Sequence, residues 1–312
     1  MNSSEYTSST KNWLDERFRL VSEEGIYIAH QPIYGFRKGF SESGNLKRYA
    51  ITNQIVKALS HLSFDSLLDV GGAEGYKAAL IKKLFKIDNV MSCDLSEEAC
   101  KRSKEIFNIE SQTIDIHQLP FEDNSFDVVV CSETLEHVED LESATNELIR
   151  VAKKAVVITV PHEPKDVVEK NIKEKIPHAH IHSIHKNSFD FALNKCKSIS
   201  HRKMLSKLMK PFFVIVDAQK LPPGKGFGGL IKRLFNVFVP LFKMLFGRLA
   251  VRITLYKDEL FANTTLRYEG FCFVLLLDEK AQSKKKLRNY YTTEIVNFSV
   301  PYHYLDKSKM PQ

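Results

Sequence analysis

No two cysteines in this chain are spaced as CxxC, and the five present (Cys93, Cys100, Cys131, Cys196, Cys272) are odd in number and scattered. Neither a zinc knuckle nor a disulfide framework is supported, and a reducing compartment fits best. Several of these cysteines fall in apolar runs, where a free thiol behaves as a small buried hydrophobe. No uninterrupted apolar run reaches the roughly 20 residues that a membrane-spanning helix needs. The segment from Met1 to Thr10 is polar and Ser/Thr-rich, without the apolar centre of a secretory signal. Internal repeats and recognisable RNA-binding modules are also missing. These absences lead to the expectation of a cytoplasmic protein.

What is present is an ordinary globular composition. The chain has 312 residues, 43% hydrophobic and 27% charged, enough for one large domain or two small ones. The formal charge of +7 invites an anionic partner such as RNA, a phosphorylated substrate or a membrane surface. Much of that excess sits in runs such as Lys284-Lys285-Lys286, which read more simply as a solvated face. No specific nucleic-acid partner is expected on charge alone.

From residue 66 the chain alternates regularly. Ser66 to Val70, Asn89 to Cys93, Gln112 to Ile114, Phe126 to Cys131 and Ala155 to Val160 read as five short strands. Helices are expected at Tyr76 to Phe85, after Ser96 with Glu97 and Glu98 in the first turn, and at Leu141 to Val151. Such alternation implies a mostly parallel sheet covered on both faces. Upstream, helical spacing is expected around Trp13 to Leu20 and over Asn53 to Leu62, with a frayed start before them. Downstream, Phe212 to Val216 and Gly270 to Leu277 read as strands six and seven. The basic, then aromatic tail beyond Glu279 is expected to lie on the surface.

The turn Asp69-Val70-Gly71-Gly72-Ala73-Glu74-Gly75 joins a strand to a helix. A nucleoside ligand needs a turn there whose backbone comes close, with helix N-terminal amides beyond it. A Gly-rich turn can also serve packing alone. Asp94 ends the next strand, where a carboxylate accepts from a ribose diol, although it could equally cap the following helix. Asp115 ends the third strand, within reach of an adenine amino group.

At these residues the chain resembles a known family. Leu68 to Gly75 resembles the first motif of class I S-adenosylmethionine-dependent methyltransferases, and Cys93-Asp94-Leu95-Ser96 their second. Asp115 to Phe121 followed by Ser125 to Val129 is similar to the third and fourth, and Ser132 to Val138 to the loop after the fourth strand. The likeness covers residues 66–160 and is nearest to the methyltransferase type 11, ubiquinone-biosynthesis-like group. A nicotinamide dehydrogenase has no place for the Asp115 and Glu133-to-His137 segments. One departure is Ala73, which stands where the family's first motif has its middle glycine.

The resemblance implies an α/β, Rossmann-like sheet of seven strands, helices on both faces, the last strand antiparallel, and a helical insertion between strands six and seven. It implies S-adenosylmethionine as cofactor and S-adenosylhomocysteine as product. Asp69, Gly71, Gly72 and Gly75 would form the methionine-side turn. Asp94 would hold the ribose hydroxyls beside Leu95, Asp115 and Ile116 would face the adenine, and Glu133 would lie near the amino-acid end. Arg48 and Tyr49 are candidates to close over the cofactor carboxylate.

For the chemistry, methyl transfer from a sulfonium mainly requires alignment, and an oxygen nucleophile must also lose its proton. His137 and His180 are the candidate catalytic residues, whereas His178 and His185 read as solvent-exposed loop residues. Glu133-x-x-Glu136-His137 also resembles the metal-binding motif of quinone-pathway O-methyltransferases and small-RNA 2′-O-methyltransferases. The same letters recur in enzymes that use no metal, and no metal is assigned on them.

Residues 1–60 are expected to form an N-terminal helical cap, 61–278 the methyltransferase domain with an insertion at 219–268, and 279–312 the tail. Within the insertion, apolar pairs from Leu230-Ile231 to Leu249 give one apolar helical face, kinked or split at Pro240. A lid, a dimer helix and a peripheral membrane contact through 225–252 all fit it. The resulting expectation is O- or N-methylation of a small-molecule, sugar or lipid-linked acceptor. Alternatives are an RNA or protein methyltransferase and a cofactor-binding scaffold without activity. The sequence leaves the oligomeric state open.

Overall fold

The computed structural model describes residues 3–35, 45–206, 222, 224–262, 264 and 266–311. Among these, seven strands form one sheet in the order β3-β2-β1-β4-β5-β7-β6. The parallel part comprises β1 (Ser66–Val70), β2 (Asn89–Asp94), β3 (Glu110–Thr113), β4 (Phe126–Ser132) and β5 (Ala152–Pro161). β7 (Tyr268–Leu276) runs antiparallel to β5, and β6 (Ser198–Ser206) antiparallel to β7 at the edge. Helices α1 (Ser3–Phe18), α2 (Asn45–Leu59), α3 (Tyr76–Phe85), α4 (Glu97–Phe107) and α5 (Leu141–Val151) flank it.

The local chemistry accounts for these elements. The central strands are nearly all apolar because both faces are covered. Along β4 the two-residue period sends Val128 and Val130 into one core and Val129 and Cys131 into the other. Ser96 caps α4 by accepting from the Ala99 amide at 3.2 Å, and Asp140 caps α5 by accepting from Ser143 at 2.9 Å.

Several sequence expectations are corrected. α1 begins at Ser3, so the polar start is helical rather than frayed. α2 lies earlier than expected, ending at Leu59. β6 at Ser198–Ser206 had no counterpart in the sequence reading, and the expected strand at Phe212 to Val216 lies outside the described residues. After β5 come α6 (Lys165–Glu174) and, beyond β6, α7, which runs unbroken from Gly226 to Ala262 through Pro240 rather than splitting there. Its last third docks on the domain through buried Val251, Leu255 and Ala262, while Asp258 accepts from the Leu205 and Ser206 amides at 3.2 and 2.7 Å.

The tail is integral to the fold. It carries α8 (Thr292–Asn297), whose Ile295 and Val296 are buried. Tyr76 donates its hydroxyl to the Ile295 carbonyl at 3.3 Å, and the Tyr27 and Val300 amides bond to the carbonyls of His303 and Ile33. Among the described residues, no helix is long and apolar enough to cross a membrane.

Candidate active site

Strand register gathers the motif residues at one edge of the sheet. Val70 is level with Cys93 on β2 and Cys131 on β4, and Asp94 is level with Thr113 on β3. Residues following these positions therefore emerge together at the carboxyl ends, where open α/β sheets bind ligands. A cavity of about 190 Å³ opens there, lined by Gly71, Asp94, Leu95, Asp115, Ile116, Glu133 and His137 among others. Asp69, Gly72 and Gly75 do not line it. They stand behind its wall and shape the turn.

The turn is held from below. The Gly71 and Gly72 amides both donate to the Cys93 carbonyl, at 2.8 and 3.0 Å. Gly71 and Gly75 take left-handed φ values of 69° and 78°. A Cβ at Gly72 would collide with Ser92 Oγ and crowd the Asp69 carboxylate. The missing side chains at 71, 72 and 75 leave room for Thr134, Ser92 and Ser103, so the glycines serve close packing of the turn. Ala73 also sits at positive φ, 49°, a conformation that suits glycine and costs alanine.

Asp94 is the hub of this edge. Its carboxylate accepts from the Ala73 and Ser96 amides, both at 2.9 Å, tying the turn to the start of α4. Burial nevertheless lifts its pKa to about 6, against the pull of those two donors. Burial raises Asp69 to about 6 as well. Asp115 is half exposed and held below the usual carboxylate range by His117, whose Nδ1 lies 2.7 Å from Oδ1.

One wall was missed in the sequence. Tyr6, Thr7, Thr10, Leu14 and Phe18 of α1 line the cavity, with His30, Gln31 and Pro32. Their i, i+4, i+8 spacing was the available signal, hidden by the polar character of the first ten residues. Glu74, fully buried in the glycine turn, latches this wall in place. Its Oε1 accepts from the Tyr27 hydroxyl at 3.1 Å, the Gln31 amide at 3.3 Å and the His30 amide. Gln31 Oε1 in turn accepts from the Tyr76 amide at the start of α3, at 3.0 Å. Arg48 joins the cavity, whereas Tyr49 is buried and does not line it.

At the other end a stack of rings closes the site. Trp13 lies on His178 at 4.6 Å between centroids, and His178 on His137 at 3.8 Å. His180 meets His137 edge-on at 4.8 Å and pairs with Glu163 through Nδ1 at 2.9 Å. His180 itself does not line the cavity, but His178 does, which corrects its reading as a solvent-exposed loop residue. His185 is exposed as expected. Burial, then the neighbouring His178 and His180, pushes His137 well below its ordinary pKa, so it is a neutral imidazole near pH 7. Its Nδ1 lies 3.2 Å from the Ala179 carbonyl, which leaves Nε2 as the lone-pair nitrogen.

Glu136 lies beneath this stack, 1% exposed, with Oε2 lacking a hydrogen-bond partner. Burial and the adjacent Glu133 raise its pKa well above the usual range. Ligand atoms of Glu136, His137 and His180 fall within 4.8 Å of one another. One carboxylate and two imidazoles fit a divalent transition metal or zinc. The unsatisfied Glu136 oxygen fits a cation as well, since a buried carboxylate otherwise has little to offset its desolvation.

Comparisons with known proteins find likeness over the same segment of the chain. Residues 68–160 match the methyltransferase domain family. Over 112 residues the chain is 29% identical to the ubiquinone/menaquinone biosynthesis C-methyltransferase UbiE of Klebsiella pneumoniae, covering 33% of this chain and 45% of that protein. The chain thus spans less than half the length of this curated relative. Among solved structures, geranyl diphosphate C-methyltransferase from Streptomyces coelicolor aligns over 88% of this chain and 98% of its own, at 16% identity and a TM-score of 0.49. A methyltransferase from Archaeoglobus fulgidus aligns over 72% and 92%, at 15% identity and a TM-score of 0.43. The glycine turn and the Asp94 and Asp115 motifs all fall within residues 68–160, the part of the chain that matches the methyltransferase domain family.

Proposed function

We propose that the chain transfers a methyl group from S-adenosylmethionine to an oxygen or nitrogen of a small-molecule, sugar or lipid-linked acceptor. The observation that carries this reading is the single cavity wall shared by Gly71, Asp94, Leu95, Asp115, Ile116 and Glu133, with His137 at its end. In this reading Asp94 accepts from the ribose hydroxyls, Leu95, Asp115 and Ile116 hold the adenine, and Glu133 faces the amino-acid end. Asp69, Gly72 and Gly75 contribute by fixing the turn.

The protein's part in the reaction is alignment and proton management. The α1 wall and the ring stack exclude water from the line between sulfur and acceptor. In this reading His137 is the candidate base for an acceptor hydroxyl through its Nε2 lone pair, a weak base because burial depresses its pKa.

A second reading of this same end is favoured by the donor set of Glu136, His137 and His180. They would hold a divalent cation, and His137 would then be a ligand rather than the base. Bound there, the cation would supply Lewis-acid polarisation of an acceptor oxygen.

The test is to supply methyl-labelled S-adenosylmethionine and the protein to a cell extract, then fractionate. Label in organic-soluble or small aqueous products supports the reading. Label confined to precipitable RNA or protein assigns the acceptor to a macromolecule. Absence of transfer leaves a cofactor-binding scaffold.

A further inference from the structure

Among the described residues, the longest helix carries an apolar face that is left exposed. Leu230, Ile231, Leu234, Val237, Phe238 and Leu241 of α7 are each 47–70% exposed. At 100° per residue they share an arc of about 120°, so they form one continuous ridge. Soluble monomers rarely leave such a patch in water. Among the described residues, those of the helix that are buried against the domain include Val251, Leu255, Asp258 and Ala262 at its far end.

Charge selects the occupant. From Gly224 to Lys257 the sequence has seven Lys or Arg and no Asp or Glu. Lys225 and Lys232 fall opposite the ridge, and Arg233 at its margin, by the same helical count. A ridge-to-ridge dimer would bring Arg233 at the margin beside its like-charged copy and would make no use of the basic face opposite the ridge. An anionic bilayer surface satisfies both faces at once, taking the ridge among its acyl chains and the lysines and arginines at its headgroups. Among the described residues, no helix is long and apolar enough to cross the bilayer.

We infer that α7 docks this protein on anionic phospholipid membranes, with the Leu230-to-Leu241 ridge inserted and the basic residues facing the headgroups. This goes beyond the proposed methyl transfer and does not depend on it.

Flotation of the full chain with vesicles of phosphatidylcholine alone, or with about 30% phosphatidylglycerol, tests it. Binding is expected to the anionic vesicles, weak binding to the neutral ones, and loss as salt rises. Leu234→Glu with Phe238→Glu should weaken it by about tenfold or more, since two exposed apolar side chains leave the interface. Lys232→Glu with Arg233→Glu should abolish the preference for anionic lipid. None of the four positions lines the cavity, so calorimetric binding of S-adenosylmethionine should be unchanged, which establishes that the variants are folded. Equal binding by wild type and ridge variants, or none by the wild type, would overturn the inference. So would a wild-type dimer that the ridge variants dissociate while vesicle binding is absent.

Discussion

Replacing Glu74 by alanine removes a single acceptor on which three donors converge: the Tyr27 hydroxyl and the His30 and Gln31 amides. All lie in or beside a wall of the cavity. Each buried donor left without a partner costs about 1 kcal/mol or more. Removing a buried carboxylate recovers part of its desolvation. The net expectation is a loss of about 2–4 kcal/mol, read as a lower urea midpoint. Because the donors sit on one segment, much of that loss should appear as local opening. Amide exchange at His30 and Gln31 should therefore accelerate more than exchange in β4 or β5. S-adenosylmethionine affinity should fall with it, since His30, Gln31 and Pro32 line the cavity. Glu74→Gln keeps an acceptor in the same place and should lose about 1 kcal/mol or less. Unchanged exchange at His30 and Gln31 in Glu74→Ala, with an unshifted midpoint, would refute the idea that this carboxylate latches the wall.

Three further outcomes are expected. Ala73→Gly should raise stability by about 0.5–1 kcal/mol in chemical denaturation, because the left-handed φ of 49° costs alanine more than glycine. Affinity for S-adenosylmethionine, measured by calorimetry, should drop about tenfold between pH 7.5 and pH 5, because the Asp94 carboxyl, raised to about 6, must be ionised to accept from a diol. The sign for the unliganded fold is opposite: a raised carboxyl pKa contributes stability that is present at low pH and lost as pH rises through 6. On the metal reading of this end, heats of binding for Mn²⁺ or Zn²⁺ should be present in the wild type and largely absent in His180→Ala, and equal heats in both would remove the Glu136–His137–His180 set as a metal centre.

The parts legible in the sequence were those encoded locally. The apolar runs of β1, β4 and β5, the glycine turn and the carboxylates ending β2 and β3 each announce themselves within a few residues. Parallel register then brings them to one edge without further instruction. β6 was not legible because Ser198 to Lys203 is mostly polar and exposed, an edge strand specified by its partner β7 rather than by its own pattern. The α1 wall escaped notice because its contacts, such as Ser96 Oγ to Asp15 at 2.6 Å, span some 80 residues of chain. The Glu74 latch is likewise non-local, joining residues 43 to 47 positions apart. The stacking of His178 between Trp13 and His137 also depends on α1, so its neighbours in sequence could not reveal it. Pro240 failed to end α7 because a proline removes one backbone donor, and a long helix can persist across it.

The central claim is that the cavity at the carboxyl ends of β1 to β4 binds S-adenosylmethionine through Asp94. Calorimetric titration of S-adenosylmethionine into the protein and into Asp94→Ala tests it directly. The account predicts saturable one-site binding in the wild type, in the micromolar range of affinity, and its loss in a variant that retains cooperative unfolding. Equal affinity in the two proteins would contradict the placement of the ribose on Asp94, and no binding by the wild type would contradict the cofactor site itself.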